Sequence, residues 1–169
     1  VPITGKVMEA DKDTVCVAEV SSFQLESVNS FCPHISCVLN IAPDHLERHY
    51  SMENYIYLKK RIYKNQRESE YLILNYDDEI VREFAKESRA KNLYVSLKER
   101  IAGGYRLENK LYYFNEYIMD VEDLALKGEH NVYNTLFAIC IAKLMGVDNE
   151  CIVNALKNFK GVKHRMEFI

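Results

Sequence analysis

Four short apolar runs constrain the fold of this chain most. TVCVAEV (14–20), ISCVLNI (35–41), YLILN (71–75) and LYVSL (93–97) are nearly continuous rather than alternating. Such runs suit strands covered on both faces. Amphipathic helical patterns separate the later ones. Residues 51–66 open on Ser51, a favourable N-cap, and place Met52, Tyr55, Ile56, Ile62 and Tyr63 at helical spacing. Residues 77–89 open on Asp77, Asp78 and Glu79, acids that suit the positive end of a helix dipole. Strand and helix in alternation predict right-handed βαβ units, hence an α/β fold with a mainly parallel sheet flanked by helices. The pattern changes at GGYRLENKLYYFNEYIMDVEDL (103–124), which predicts a small antiparallel hairpin or three-stranded meander. Two further helices are predicted near 131–146 and 149–159, with Gly146 as the C-cap between them.

A chain of 169 residues is long enough for one domain with a sizeable core. Its formal net charge of -3 points to neither a nucleic-acid nor a membrane-surface partner. No apolar stretch approaches the length of a membrane span, and no signal peptide is visible. Cys16, Cys32, Cys37, Cys140 and Cys151 form no C-x-x-C pair. They are expected to be reduced, buried thiols packing as small hydrophobes, which fits a cytoplasmic setting. The chain starts at Val1 and ends on HRMEFI, so a piece of a longer protein is expected.

In open parallel sheets ligands bind beyond the carboxyl ends of the strands. Glu19 lies near the end of the first apolar run, and Asp44 and His45 follow the second. Two oxygen donors and an imidazole facing one crevice could hold a hard divalent cation. The alternative is that Glu19 caps a helix and His45 is an ordinary loop histidine. Within 51–66 the apolar stripe passes through Lys59, whereas Lys60 and Arg61 fall off it and are expected to be solvated. A lysine on an inward stripe must pair, lose its charge, be modified or extend its head to water. Conversion to a carbamate would make it an oxygen donor in the same crevice. In GEHNVYN (128–134), Asn131 and Asn134 share a helix face beside a phosphate-suited N-terminus. Capping explains Asn131 better than Asn134. ITGKV (3–7) is not a phosphate loop: Val7 follows the lysine where Ser or Thr is required, and no earlier glycine is present.

Together, EVSSFQLE (19–26), LNIAPDHLERH (39–49), YLKKRIY (57–63), GEHNVYN (128–134) and HR (164–165) resemble the Mur ligase family, and within it the branch that adds D-glutamate. Their order and spacing resemble the central ATP-binding domain over nearly the whole chain. SSFQLE discriminates best between branches, whereas HNxxN is shared across the family. The resemblance implies an ATP-dependent amide-forming ligase of peptidoglycan biosynthesis, with UDP-N-acetylmuramoyl-L-alanine, D-glutamate, ATP and Mg2+ as partners. It implies an acyl phosphate intermediate, made when the substrate carboxylate attacks the γ-phosphate. It implies Glu19 and His45 as magnesium ligands and carbamylated Lys59 as holding a second magnesium. It implies Ser21 and Gln24 as substrate contacts, and Asn131, Asn134 and Arg165 as ATP contacts. Residues 1–169 are then expected to be a partial central domain without the phosphate loop, the N-terminal UDP-binding domain or the C-terminal amino-acid-binding domain. Such a fragment is expected to be inactive alone. The alternatives are a non-catalytic α/β nucleotide-binding module, a sister Mur ligase, or a folylpolyglutamate synthase-type enzyme.

Overall fold

The computed structural model describes Gly5 and residues 9–161. Among the described residues six strands form one sheet in the order β1-β2-β3-β4-β5-β6. They are β1 (Ile35–Val38), β2 (Tyr71–Asn75), β3 (Lys91–Ser96), β4 (Gly103–Leu107), β5 (Lys110–Tyr113) and β6 (Glu116–Asp120). The first four are parallel, with Ile35 beside Tyr71, Tyr71 beside Lys91 and Tyr94 beside Gly103. The last three form the predicted antiparallel meander.

The helices are α1 (Ser22–Leu25), α2 (Leu46–His49), α3 (Met52–Lys60), α4 (Glu79–Glu83), α5 (Glu129–Leu144) and α6 (Asn149–Asn158). Among the described residues no helix is long and apolar enough to cross a membrane.

β2 shows why its sequence is a continuous apolar run. Leu72 and Leu74 pack on one face with Tyr55, Tyr63, Val81 and Phe84, while Ile73 packs on the other with Leu136, Phe137 and Ile139. All three of these β2 side chains are fully buried. A strand covered by helices on both faces has no polar side to alternate with. β3 divides likewise, with Leu93 and Val95 on the α5 side and Tyr94 on the other.

β3 and β4 are joined by only residues 97–102, yet they pair in parallel. A full crossover needs a longer connection. Here the chain drops back only to the level of Tyr94, so the overlap is short. Gly103 permits this with φ 143°, because a Cβ there would lie 2.1 Å from the Tyr94 carbonyl oxygen. Gly104 admits α5 just as closely: its Cβ would lie 2.9 Å from Cys140 Sγ.

Several expectations need correction. Residues 14–20 form no strand. Val15 is 62% exposed and Val17 85%, so the run is not buried, and β1 is left as a sheet edge. The helix expected over 51–66 ends at Lys60 and tightens into a 3-10 turn over Arg61–Tyr63. That expected over 77–89 shortens to α4 and a 3-10 turn over Phe84–Lys86. Of the cysteines, Cys140 is buried and Cys37 half-buried, whereas Cys16, Cys32 and Cys151 are exposed. Burial pushes the thiols of Cys37 and Cys140 up to about 12, so both stay protonated and pack as hydrophobes.

The opposite end of the sheet is closed by Gln66, which is 1% exposed. Its amide donates to the carbonyls of Pro33 and Tyr71 at 2.8 and 2.9 Å, and its oxygen accepts from Ser36 Oγ at 2.8 Å. Gln66→Leu would leave these groups buried and unpaired, an expected loss of about 2–4 kcal/mol. Tyr63 gives the contrast, because its buried hydroxyl has no hydrogen-bond partner among the described residues. Tyr63→Phe should therefore be neutral or stabilising by up to about 1 kcal/mol. Urea midpoints of the two variants check both, and a larger loss for Tyr63→Phe would overturn this ranking.

Candidate active site

The carboxyl end of β2 is tied down by the acids that follow it. Asp77 accepts from Ser96 Oγ at 2.7 Å, the Leu97 amide at 2.8 Å and Tyr133 Oη at 2.7 Å. One carboxylate thus joins the ends of β2 and β3 to the first turns of α5. Asp78 caps α4, accepting from the amides of Ile80 and Val81. Its second oxygen accepts from the Ile41 amide at 2.9 Å, which holds the chain leaving β1. Asn75 completes the set by donating to the Leu39 carbonyl. The carboxyl ends of three parallel strands are therefore fixed relative to one another, and so is the start of α5.

A second assembly gathers α1, α2 and α3. Ser21 and Gln24 form a capping box on α1: the Gln24 amide donates to Ser21 Oγ at 3.3 Å, and the Ser21 amide donates to Gln24 Oε1 at 2.8 Å. Phe23, between them, stacks on His49 at 5.0 Å between ring centroids and lies 5.1 Å from His45. His49 is 1% exposed and pairs through Nε2 with Ser22 Oγ at 3.0 Å. It also contacts Tyr55 of α3 at 5.3 Å. The Arg61 guanidinium donates to the carbonyl of Leu25, the last residue of α1, and to that of Val28 just beyond it.

His45 stands at the head of α2 in a left-handed conformation, φ 49°. Its Nε2 lies 3.5 Å from Asp44 Oδ1 and its Nδ1 3.5 Å from Glu47 Oε1. Glu19 is exposed in the irregular segment leading to α1. Lys59 is half-buried, with Nζ 5.7 Å from the Tyr55 ring centroid. The fully inward place on α3 goes to Leu58 instead. Lys60 and Arg61 are not solvated as expected: Lys60 Nζ pairs with Glu87 at 2.6 Å, and Arg61 binds the carbonyls named above.

Asn131 is not the cap of α5, which is Gly128 at φ 101°. Its side chain donates instead to the Lys127 carbonyl at 2.7 Å. Asn134 is exposed. Arg165, together with Lys6 and Val7 of ITGKV, lies outside the described residues. Ser21, Gln24 and His45 are thus brought into one packed assembly through Phe23 and His49, and Lys59 adjoins it through Tyr55. Asn131 and Asn134 stand apart on α5, whose start is linked to the sheet by Tyr133 and Asp77.

Among the described residues no three His, Cys, Asp or Glu side chains converge as a metal centre. A donor set of carboxylates and one imidazole instead fits an ion completed by waters and phosphate oxygens, the usual habit of magnesium.

The fold and this arrangement define an α/β domain whose polar side chains cluster beyond the carboxyl ends of a parallel sheet. The chain belongs to the Mur ligase family: the Mur ligase middle domain matches residues 1–142. Its relatives include proteins named UDP-N-acetylmuramoylalanine–D-glutamate ligase. That of Caldanaerobacter subterraneus is 45% identical and that of Thermoanaerobacter sp. 43%. That of Clostridioides difficile is 41% identical. In each case 99% of this chain is matched, and the chain spans 38% of the relative's length. Among solved structures, MurF from Acinetobacter baumannii shares the fold with a TM-score of 0.68 at 24% identity, over 81% of this chain and 31% of that one. A murein peptide ligase from Psychrobacter arcticus shares it with a TM-score of 0.64 at 18% identity, over 82% and 30%.

The sequence reading missed His49, Asp77 and Tyr133. A signal existed for the first assembly, because Ser21-x-x-Gln24 is itself a capping-box pattern. Tyr133 carries a test of the second. Burial first, and the Asp77 carboxylate second, push its phenol well above the ordinary tyrosine value. A raised folded pKa means that the contribution is complete below the unfolded value of about 10 and is lost as pH rises through the folded one. Stability should therefore fall more steeply between about pH 8 and about pH 11 in the wild type than in Tyr133→Phe. Denaturant midpoints at both pH values measure this, and parallel losses would refute it.

Proposed function

We propose that this chain is the greater part of the central domain of an ATP-dependent ligase that joins D-glutamate to UDP-N-acetylmuramoyl-L-alanine in the cytoplasm. The observation that carries this reading is identity of 41–45% along 99% of the chain to ligases named for that product. In this reading the domains that hold the UDP-sugar and D-glutamate, and the phosphate loop, belong to other parts of the protein. The substrate carboxylate attacks the γ-phosphorus of ATP, forming an acyl phosphate and releasing ADP. The D-glutamate amine then attacks the acyl carbon; phosphate leaves, the amine loses a proton, and an amide remains.

The residues here bind and orient. Glu19 and His45 are the proposed magnesium ligands, and bound magnesium would neutralise charge developing on the phosphoryl oxygens. Lys59 suits the carbamate role better than Lys60: among the described residues it makes no ion pair, whereas Lys60 is held by Glu87. Carbamylation joins the neutral Nζ to CO2 with loss of a proton and turns a cation into a pair of oxygen donors. Ser21 and Gln24 are proposed to contact substrate from the capped start of α1, and Asn131, Asn134 and Arg165 to contact ATP.

The test is phosphate release by the full-length protein that contains this chain. Release should require both UDP-N-acetylmuramoyl-L-alanine and D-glutamate. Dependence on a different amino acid would indicate a sister ligase, and nucleotide binding without turnover a non-catalytic module. In that protein, Lys59→Ala should lower kcat by about 100-fold or more, whereas Lys60→Ala, which removes one partly exposed ion pair, should change it by no more than about threefold. A small carboxylate should partly restore Lys59→Ala. Equal effects at 59 and 60 without rescue would exclude the carbamate.

A further inference from the structure

We infer that His49 is a positioning residue of the candidate site, the buried connector that sets α1, α2 and the start of α3 in one register. The inference rests on the functional reading above. His49 adjoins the segments that carry Ser21, Gln24, His45 and Lys59. Its Nε2 pairs with Ser22 Oγ at 3.0 Å, between the two residues of the Ser21–Gln24 capping box and next to Ser21 itself. Its ring stacks on Phe23 at 5.0 Å with 22° between the planes, and His45 lies 5.1 Å from the same Phe23 ring. It contacts Tyr55 at 5.3 Å, and Tyr55 carries Lys59 Nζ 5.7 Å from its ring centroid.

The backbone of His49 is engaged as well. Its amide donates to the His45 carbonyl at 3.0 Å, and its carbonyl accepts from Asn54 Nδ2 at 3.0 Å. It therefore closes the single turn that begins at His45 and ties it to the first turn of α3.

Burial makes this arrangement specific. An imidazole that is 1% exposed needs a polar partner, and Ser22, itself 4% exposed, needs one too. A phenylalanine would preserve the stacking but leave the Ser22 hydroxyl buried and unpaired. Losing this one bond lets α1 rotate or slide relative to α2, so Ser21 and Gln24 shift relative to His45. A displacement of about 1 Å in a phosphoryl-transfer site lowers rate by about 100-fold even when the displaced contact is remote from the chemistry.

The experiment uses the full-length protein carrying this chain and measures kcat, KM for each substrate and thermal midpoint. His49→Phe should lower kcat by about 10- to 100-fold with KM for ATP changed less than about threefold, because the proposed ATP contacts Asn131 and Asn134 stand on α5 and not on the helices that His49 joins. Ser22→Ala removes the same bond with little change in volume and should reproduce the kcat loss. The double variant should be no worse than either single one, since both remove one interaction. His49→Gln, which can still bond Ser22, should recover most of the rate. Wild-type kcat in both His49→Phe and Ser22→Ala overturns the proposal. So does a loss in both variants that merely follows the unfolded fraction, with no recovery in His49→Gln. A wild-type protein without D-glutamate-dependent turnover overturns the functional reading instead, and the positioning role with it.

Discussion

The Asp77 carboxylate is the interaction on which the carboxyl end of the sheet depends. β2 and β3 are parallel, so their ladder hydrogen bonds end together and leave their next amides to find other partners. Asp77 takes the amide of Leu97 and the hydroxyl of Ser96 from one side and the phenol of Tyr133 from the other. Asp78 does the same for β1 through the Ile41 amide while capping α4. Hydrogen bonds to an ionised acceptor are about twice as strong as neutral ones. Two adjacent carboxylates thus do for this end of the sheet what a longer ladder would otherwise do. The rigid edge that results is where a parallel sheet presents its ligand groups.

The α1–α2–α3 assembly hangs on that edge in a different way. Its helices are short, and four-residue helices are not stable by propensity alone. They persist here because aromatic side chains pack between them and because arginines brace α1, one by binding carbonyls at its end and one through a carboxylate and a ring. Arg61 serves the end of α1, and Arg48 lies 4.7 Å over Phe23 while pairing with Glu26. Local order in this region is therefore a product of tertiary packing.

That difference explains what could be read from the sequence. β2 was legible because both its faces are buried, which leaves a continuous apolar run. The meander was legible from its turns, and α5 and α6 from Gly146, whose φ of 77° permits the break. The run at 14–20 is mainly apolar like β2 but largely exposed, because apolar character does not say whether a neighbour is present to cover it. Asp77 and Asp78 were read as dipole-favourable acids, and Asp78 does cap α4, but they also bind Ile41 after β1, Ser96 and Leu97 at the end of β3, and Tyr133 on α5, all distant in sequence. Lys59 was read from periodicity as inward; a 3.6-residue repeat also allows Leu58 that place, and α3 rotates to give it to the leucine. The same rotation brings Lys60 to Glu87 and Arg61 to α1. In the candidate site, the segments were legible as motifs, but His49 was not, since a histidine at the end of LERH looks solvated until Ser22 and Phe23 arrive from another segment.

The backbone of α2 shows how far the packing dictates geometry. Both of its flanks are left-handed non-glycine residues, His45 at φ 49° and Tyr50 at φ 66°. Each such residue costs about 1–2 kcal/mol relative to a right-handed one. A solvated four-residue turn does not sustain two of them. It is retained because α2 is fixed at both ends: the amides of Arg48 and His49 bind the His45 carbonyl, and Asn54 binds the His49 carbonyl. The buried His49–Ser22 pair then holds the turn against α1. The outcome is that the His45 backbone has little conformational choice. Its ring has Asp44 and Glu47 at 3.5 Å and Phe23 at 5.1 Å, and the backbone sets the direction in which the side chain leaves it. Strain of this kind persists where surrounding structure over-determines it, and it places a side chain more accurately than a relaxed loop would.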